Sequence, residues 1–213
     1  MKLTMVIALS LFGANAALAE GNRYGYERHY KADISPVVAH NELKQSRSTV
    51  LLDVRSVEEY AGGHPPGADH IPYPTARGRG RDDPALLRVT PEEFLADVTS
   101  RIPDKDTPII TMCSGGGRSA MAANILAKAG YTNVRSIWTG YLGKTLVDND
   151  GKPLDVNANG VIGGVSLGPD GKPMEDLGDM DGWAGFHELP TTTDIRKKDT
   201  LEKYRVMYPK PAR

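Results

Sequence analysis

Two short, almost unbroken apolar runs, Thr49–Leu52 and Pro108–Met112, and a further strand candidate, Val134–Trp138, are separated by segments whose apolar residues recur at helical spacing. Runs of that length without polar alternation suit strands buried on both faces of a parallel sheet. Between them, Ser35-Pro36 reads as an N-cap with proline in the first turn, and Val37, Val38 and Leu43 give the helix a partial apolar face. Val57 to Tyr60 reads as one helical turn, and Ile71 lies in a short strand. Thr90-Pro91-Glu92-Glu93 is a capping box, followed by Phe94, Leu95, Val98 and Ile102 on one helical face. A further helix runs over Ser119–Ala129 and ends at Gly130. This alternation predicts an α/β fold: an open parallel sheet flanked by helices, joined by right-handed crossovers. A chain of 213 residues is long enough for one such domain with additions.

The junction after the Pro108–Met112 strand carries the chemistry. It reads Cys113-Ser114-Gly115-Gly116-Gly117-Arg118-Ser119 and leads into a helix. Ligands of open α/β sheets bind beyond the carboxyl ends of the strands. Consecutive glycines let the backbone turn its N–H groups inward, and the helix start adds its dipole, so the loop favours an anion. Such surroundings favour the thiolate of a cysteine placed there, which makes Cys113 a candidate nucleophile. Arg118 adds charge and donors at the end of the loop. An inert buried cysteine beside a flexible turn, and an anion-binding loop without chemistry, remain alternatives on these residues alone.

Composition narrows the setting. Lys and Arg number 26 against 27 Asp and Glu, so there is no basic field to hold nucleic acid. Met1 to Ala19 reads as a secretory signal: Lys2, an apolar stretch from Leu3 to Phe12 too short to span a bilayer, then Ala17-Leu18-Ala19 before Glu20. The expectation is an exported, periplasmic protein without a membrane anchor. Cys113 is the only cysteine, which excludes an internal disulfide framework and a cysteine zinc cluster. A lone thiol in an exported chain is either incidental or a working group.

Two further stretches carry a resemblance. Leu51-Leu52-Asp53-Val54-Arg55, followed by Glu59-Tyr60-Ala61-Gly62-Gly63-His64-Pro65-Pro66-Gly67-Ala68-Asp69-His70-Ile71-Pro72, resembles the opening motifs of the rhodanese family, with Pro65 where the family has Ile. Cys113-x-x-Gly116-x-Arg118-Ser119 is similar to its active-site loop. Gly140 to Gly143 together with Gly182-Trp183 resembles its closing Gly-Gly-x-x-Gly-Trp tail. The resemblance covers about residues 33–143 and 182–190. It implies a rhodanese-like sheet and sulfur transfer: a Cys113 thiolate takes the outer sulfur of a small anionic donor such as thiosulfate and passes it to cyanide or a thiol. Ser114, Gly115, Gly116, Gly117 and Arg118 would bind the substrate. Related phosphatases use Cys-x5-Arg; the shorter spacing from Cys113 to Arg118 suits a sulfur on the cysteine. By resemblance Asp53 and Arg55 form a structural pair, and His64 braces a loop.

The remaining segments add smaller expectations. Arg77, Arg79 and Arg81 alternate with Gly78 and Gly80, in a loop that either steers an anionic donor or is a solvated or protein-docking patch. Residues 144–180 hold Asp-Gly-Lys-Pro at 150–153 and again at 170–173, which predicts a β-hairpin insertion. Asp155, Asn157, Asn159 and Gly160 match the start of an EF-hand calcium loop. Ser166 stands where the bidentate Glu belongs and no helix flanks the stretch, so calcium is a secondary reading and no cofactor is expected. Trp183 and Phe186 are expected to pack the tail onto the sheet. The chain thus divides into a signal segment at 1–19, an N-terminal extension at 20–32, a rhodanese-like domain at 33–190 and a tail at 191–213. The predicted function is sulfur transfer through a Cys113 persulfide to an external acceptor. The alternative is a non-catalytic or sensor module that binds a periplasmic partner protein.

Overall fold

A computed structural model describes residues 24–25, 27–78, 82–163 and 176–209. The expected signal segment, Arg79, Arg81, Ser166 and the second Asp-Gly-Lys-Pro lie outside them. Five parallel strands make one sheet: β1 (Ala32–Ile34), β2 (Val50–Asp53), β3 (Asp69–His70), β6 (Ile109–Met112) and β7 (Val134–Ile137). Their spatial order is β1-β7-β6-β2-β3. A two-stranded antiparallel ribbon, β4 (Thr75–Arg77) with β5 (Leu87–Arg88), stands apart from the sheet.

The central strands β2 and β6 pair from Val50–Ile109 to Asp53–Met112, and successive residues face opposite sides. Leu52 and Ile109 pack against α3 (Pro91–Arg101) and α4 (Gly117–Lys128) through Phe94, Val98, Ala123 and Leu126. Leu51, Ile110 and Met112 pack on the other face with Ala39 of α1 (Pro36–Gln45) and Tyr60 of α2 (Val57–Ala61). The result is the expected three-layer arrangement of helices on both faces of a parallel sheet.

The caps behave as their residue types dictate. The Ser35 hydroxyl accepts from Val38 N, and Thr90 with Glu93 closes a reciprocal capping box at α3. The apolar face of α1 differs from expectation: Pro36 and Ala39 are its buried residues, while Val38 is 51% exposed and Val37 also faces outward. Adjacent residues cannot both share a face with Ala39, and the sheet takes the smaller side chain.

The insertion leaves and returns at one point. Asp181 N donates to Lys144 O at 2.8 Å, and Thr145 bridges Met180. Trp183 N donates to Gly140 O at 3.0 Å and Ala184 N to Tyr141 O at 2.9 Å, so the two halves of the closing motif meet although the insertion separates them in sequence. The expected hairpin is a tight antiparallel turn, not a strand pair, among the described residues. Val147 bridges Pro153, and the Asp148 carboxylate accepts from Asp150 N and Lys152 N. Asp179, fully buried, accepts from Val156 N and Gly163 N. Carboxylates thus take backbone donors that a ladder would need.

The C-terminal residues pack on the same body. Thr192 exchanges backbone hydrogen bonds with His64, Thr200 bridges His70, and Tyr204 is buried with its hydroxyl donating to Asp97.

Candidate active site

Cys113 follows directly on β6, whose four residues are all buried. Beneath the loop, the Thr111 hydroxyl donates to Ser119 O, and the Ser119 hydroxyl donates to Gly116 O and sits 3.1 Å from that of Ser136. This buried polar chain ties the start of α4 to the ends of β6 and β7. Gly116 sits at φ +98° as the residue before α4, where a Cβ would collide with the Tyr24 hydroxyl and Trp138 O. At Gly140, φ +69°, a Cβ would collide with the carbonyls of Cys113 and Ser114.

Those carbonyls are tied from outside the loop. Tyr141 N donates to Cys113 O at 2.7 Å, and Leu142 N and Gly143 N donate to Ser114 O at 2.9 and 3.1 Å. A trans peptide carries its N–H opposite its carbonyl. Tying the carbonyls outward therefore turns the N–H edges of Ser114 and Gly115 away from the loop after β7. Gly116 N donates to Cys113 Sγ at 3.1 Å. The thiol is 2% exposed and sits at the mouth of α4, whose dipole adds to that donor. Of the loop expected to form a cradle, Ser114 to Arg118, the Gly116 N–H is the backbone donor that meets the sulfur among the contacts described.

Arg118 enters the site differently from expectation. Its guanidinium makes a bidentate pair with Glu59, with both contacts at 2.7 Å, and so locks α4 to α2. It is half of an ion pair. Burial works to raise the Glu59 carboxyl, but Arg118, the Ser56 N–H and Arg55 outweigh it and hold the group at about 2. Glu59 also closes the α2 capping box with Ser56. Its role escaped the reading of the sequence, although Ser56-x-x-Glu59 is a visible capping signature.

Asp53 and Arg55 are 0% and 2% exposed and form the expected structural pair. Arg55 reaches Asp53 through Nε at 3.0 Å and Nη2 at 2.7 Å, and Nη2 also donates to Gly63 O at 2.7 Å. The Tyr141 ring lies 3.9 Å from the guanidinium carbon. His64 braces its loop as expected: Nδ1 donates to Tyr60 O at 2.8 Å and the ring stacks on Tyr60 at 3.6 Å. Burial lowers its affinity for a proton.

His70, in the same motif, stacks on the other side, 4.3 Å from the Tyr60 ring. Its Nε2 donates to Arg55 O at 2.8 Å and its Nδ1 meets the Tyr208 hydroxyl. One donor and one acceptor suit the neutral ring. Burial, only partly opposed by Asp53 and the Arg55 carbonyl, lowers His70 from the ordinary 6.5 to about 4. The unfolded chain therefore binds a proton below pH 6.5 that the folded chain refuses until about pH 4. Stability contributed this way is complete above pH 6.5 and falls by about 3 kcal/mol as the pH drops to 4. Urea unfolding across that window is expected to show the slope in the parent and a flatter one in His70→Gln; equal slopes would refute it.

Other expected residues lie elsewhere. Arg77 pairs with Glu58 at 3.5 Å and Gly78 N donates to the same carboxylate, which places this loop beside α2, one residue along from Glu59. Asp155 accepts from Asn159 N and Gly160 N, while the Asn157 and Asn159 side-chain amides donate to Asp176. Among the described residues no group of three or more His, Cys, Asp or Glu side chains is placed to hold a metal ion. Trp183 is buried and donates to Pro190 O, as a packing residue should; Phe186 does not share that role and is 48% exposed. No helix among the described residues is long and apolar enough to cross a membrane.

A buried cysteine directly after a central strand of a parallel α/β sheet, with a glycine loop turned around its sulfur, marks the class of domain to compare. The profile described as Rhodanese-like domain matches residues 36–143, and the chain belongs to that family. Thiosulfate sulfurtransferase 16, chloroplastic, of Arabidopsis thaliana is 36% identical over 115 residues, which cover 54% of this chain and 88% of that protein. The thiosulfate:glutathione sulfurtransferase of Saccharomyces cerevisiae is 29% identical over 113 residues, 53% of this chain and 75% of that protein. Some other relatives are spanned over little more than half their length. The crystal structure of Rv0390 from M. tuberculosis superposes with a TM-score of 0.50 at 24% identity, covering 78% of this chain and 99% of that one, which supports the fold.

Proposed function

We propose that the protein transfers a sulfane sulfur through a persulfide on Cys113. The observation that carries this reading is the Gly116 N–H on Cys113 Sγ at 3.1 Å, within a loop whose neighbouring carbonyls are tied away from the sulfur. The Cys113 thiolate attacks the outer sulfur of thiosulfate; the new S–S bond forms as the donor's S–S bond breaks, and sulfite leaves with the electron pair. The terminal persulfide sulfur carries the negative charge, which backbone donors and the start of α4 stabilise. Cyanide or a thiolate then attacks that sulfur, and the Cys113 thiolate is the leaving group.

Cys113 is the only cysteine among the 213 residues, so the acceptor comes from outside the chain. A low-molecular-weight thiol fits, and the yeast relative is named for such an acceptor. Met1 to Ala19 supports export to a periplasm.

The test is intact-protein mass spectrometry after thiosulfate, then after cyanide. A gain of one sulfur on Cys113, lost with release of thiocyanate, is the expected result. An unmodified Cys113 with thiosulfate and with other sulfane donors would overturn the reading in favour of a partner-binding module, whose surface would be sought on the insertion, where Val147, Leu154 and Val156 are exposed.

A further inference from the structure

Tyr24 lies before β1, outside the stretch matched to the family, yet its hydroxyl reaches the loop around Cys113. It donates to Gly115 O at 2.5 Å and also meets Trp138 O, so one phenolic proton serves two carbonyls. The Lys144 ammonium sits 5.2 Å from the centre of the Tyr24 ring and holds it from the first residue of the insertion.

Gly115 O and Gly116 N belong to one peptide unit. The Gly116 N–H is the group that donates to Cys113 Sγ at 3.1 Å. In a planar trans peptide these two groups point in opposite directions. Tyr24 therefore holds the outer edge of the peptide whose inner edge holds the sulfur. A hydrogen bond accepted at the carbonyl polarises the amide and strengthens its N–H as a donor, by roughly 10–30% for each bond in such a chain. The same contact fixes the peptide plane, and Gly116, at φ +98°, has no side chain to do so.

We infer that Tyr24 is a positioning residue for the proposed sulfur transfer: through the Gly115–Gly116 peptide its hydroxyl aims and strengthens the N–H that stabilises negative charge on Cys113 sulfur. This rests on the reading of Cys113 as the nucleophile, but its test does not require sulfur transfer.

The experiment is the rate of Cys113 alkylation by iodoacetamide as a function of pH, in the parent protein and in Tyr24→Phe, with thermal melts of both. The phenylalanine keeps the ring and its contact with Lys144 and removes only the hydroxyl. The midpoint of the rate profile is expected to rise by about half a pH unit, a loss of about threefold in rate below it, with the melting temperature unchanged. Tyr24→Ala is expected to give at least the same shift. An unmoved midpoint in Tyr24→Phe, with or without a lowered melting temperature, would overturn the inference. A midpoint that moves in a protein that never takes up sulfur from any donor would support the peptide relay and refute the sulfur-transfer reading.

Discussion

Cys113→Ser is expected to end sulfur transfer and leave the fold standing. The side chain is 2% exposed in a tightly bonded loop, and serine differs from cysteine by one atom of similar geometry. Its oxygen still offers the Gly116 N–H an acceptor, so the change in stability stays within about 1 kcal/mol. The chemistry fares differently. A serine hydroxyl is far harder to ionise than a thiol, no base stands beside it in the loop, and oxygen does not form a labile bond to sulfur that an acceptor can reopen. Thiocyanate production from thiosulfate and cyanide should fall by at least about a thousandfold, with the melting curve close to that of the parent. Retained turnover would remove Cys113 from the mechanism. Because the chain has no second cysteine, it would remove the covalent route with it. Lost turnover combined with retained biological activity would instead favour the partner-binding module.

What was legible in the sequence is what short-range physics determines. Ser35-Pro36 and Thr90…Glu93 announce helix starts because a cap and its partner lie within one turn. The apolar runs at β2 and β6 announce central strands, and the glycines after Cys113 announce a turn at the ligand-binding edge. β1 was invisible because Ala32–Ile34 is three half-buried residues on a sheet edge, too short for any periodicity and held by pairing with β7. β4 and β5 are three and two residues long and equally silent.

The site divides the same way. Asp53, Arg55 and Cys113 lie in local motifs, but the partners that set their behaviour arrive across the fold. Glu59 meets Arg118 from 59 residues away, Tyr24 meets Gly115 from 91, and Tyr208 meets His70 from 138. Nothing in the spacing of single residues encodes such encounters. Arg118 was therefore read as charge and donors at the end of the loop, while its partner Glu59 stayed out of sight.

Arg55→Leu should cost the most stability of any single change at the site without touching a reacting atom. Arg55 gives Asp53 two side-chain donors besides its own backbone N–H, caps Gly63 O, and lies on the Tyr141 ring. Leucine keeps contact with the ring and removes all the charge. A fully buried carboxylate then stands beside one backbone donor, and the Gly63 carbonyl loses the guanidinium. Breaking one side of a buried pair in this way costs about 3–5 kcal/mol. Against a total stability of about 5–15 kcal/mol, that brings the domain near its unfolding threshold. The damage also reaches Cys113, because Asp53 is in register with Met112, the residue before the nucleophile, and Val54 N donates to Met112 O at 2.9 Å. Urea unfolding of Arg55→Leu, Asp53→Asn and the double variant separates the causes. If the uncompensated charge dominates, the double variant should be more stable than Arg55→Leu alone, because asparagine removes the charge that leucine strands. A double variant that loses the sum of the two single costs would show that packing around the guanidinium, not its charge, holds this end of the sheet.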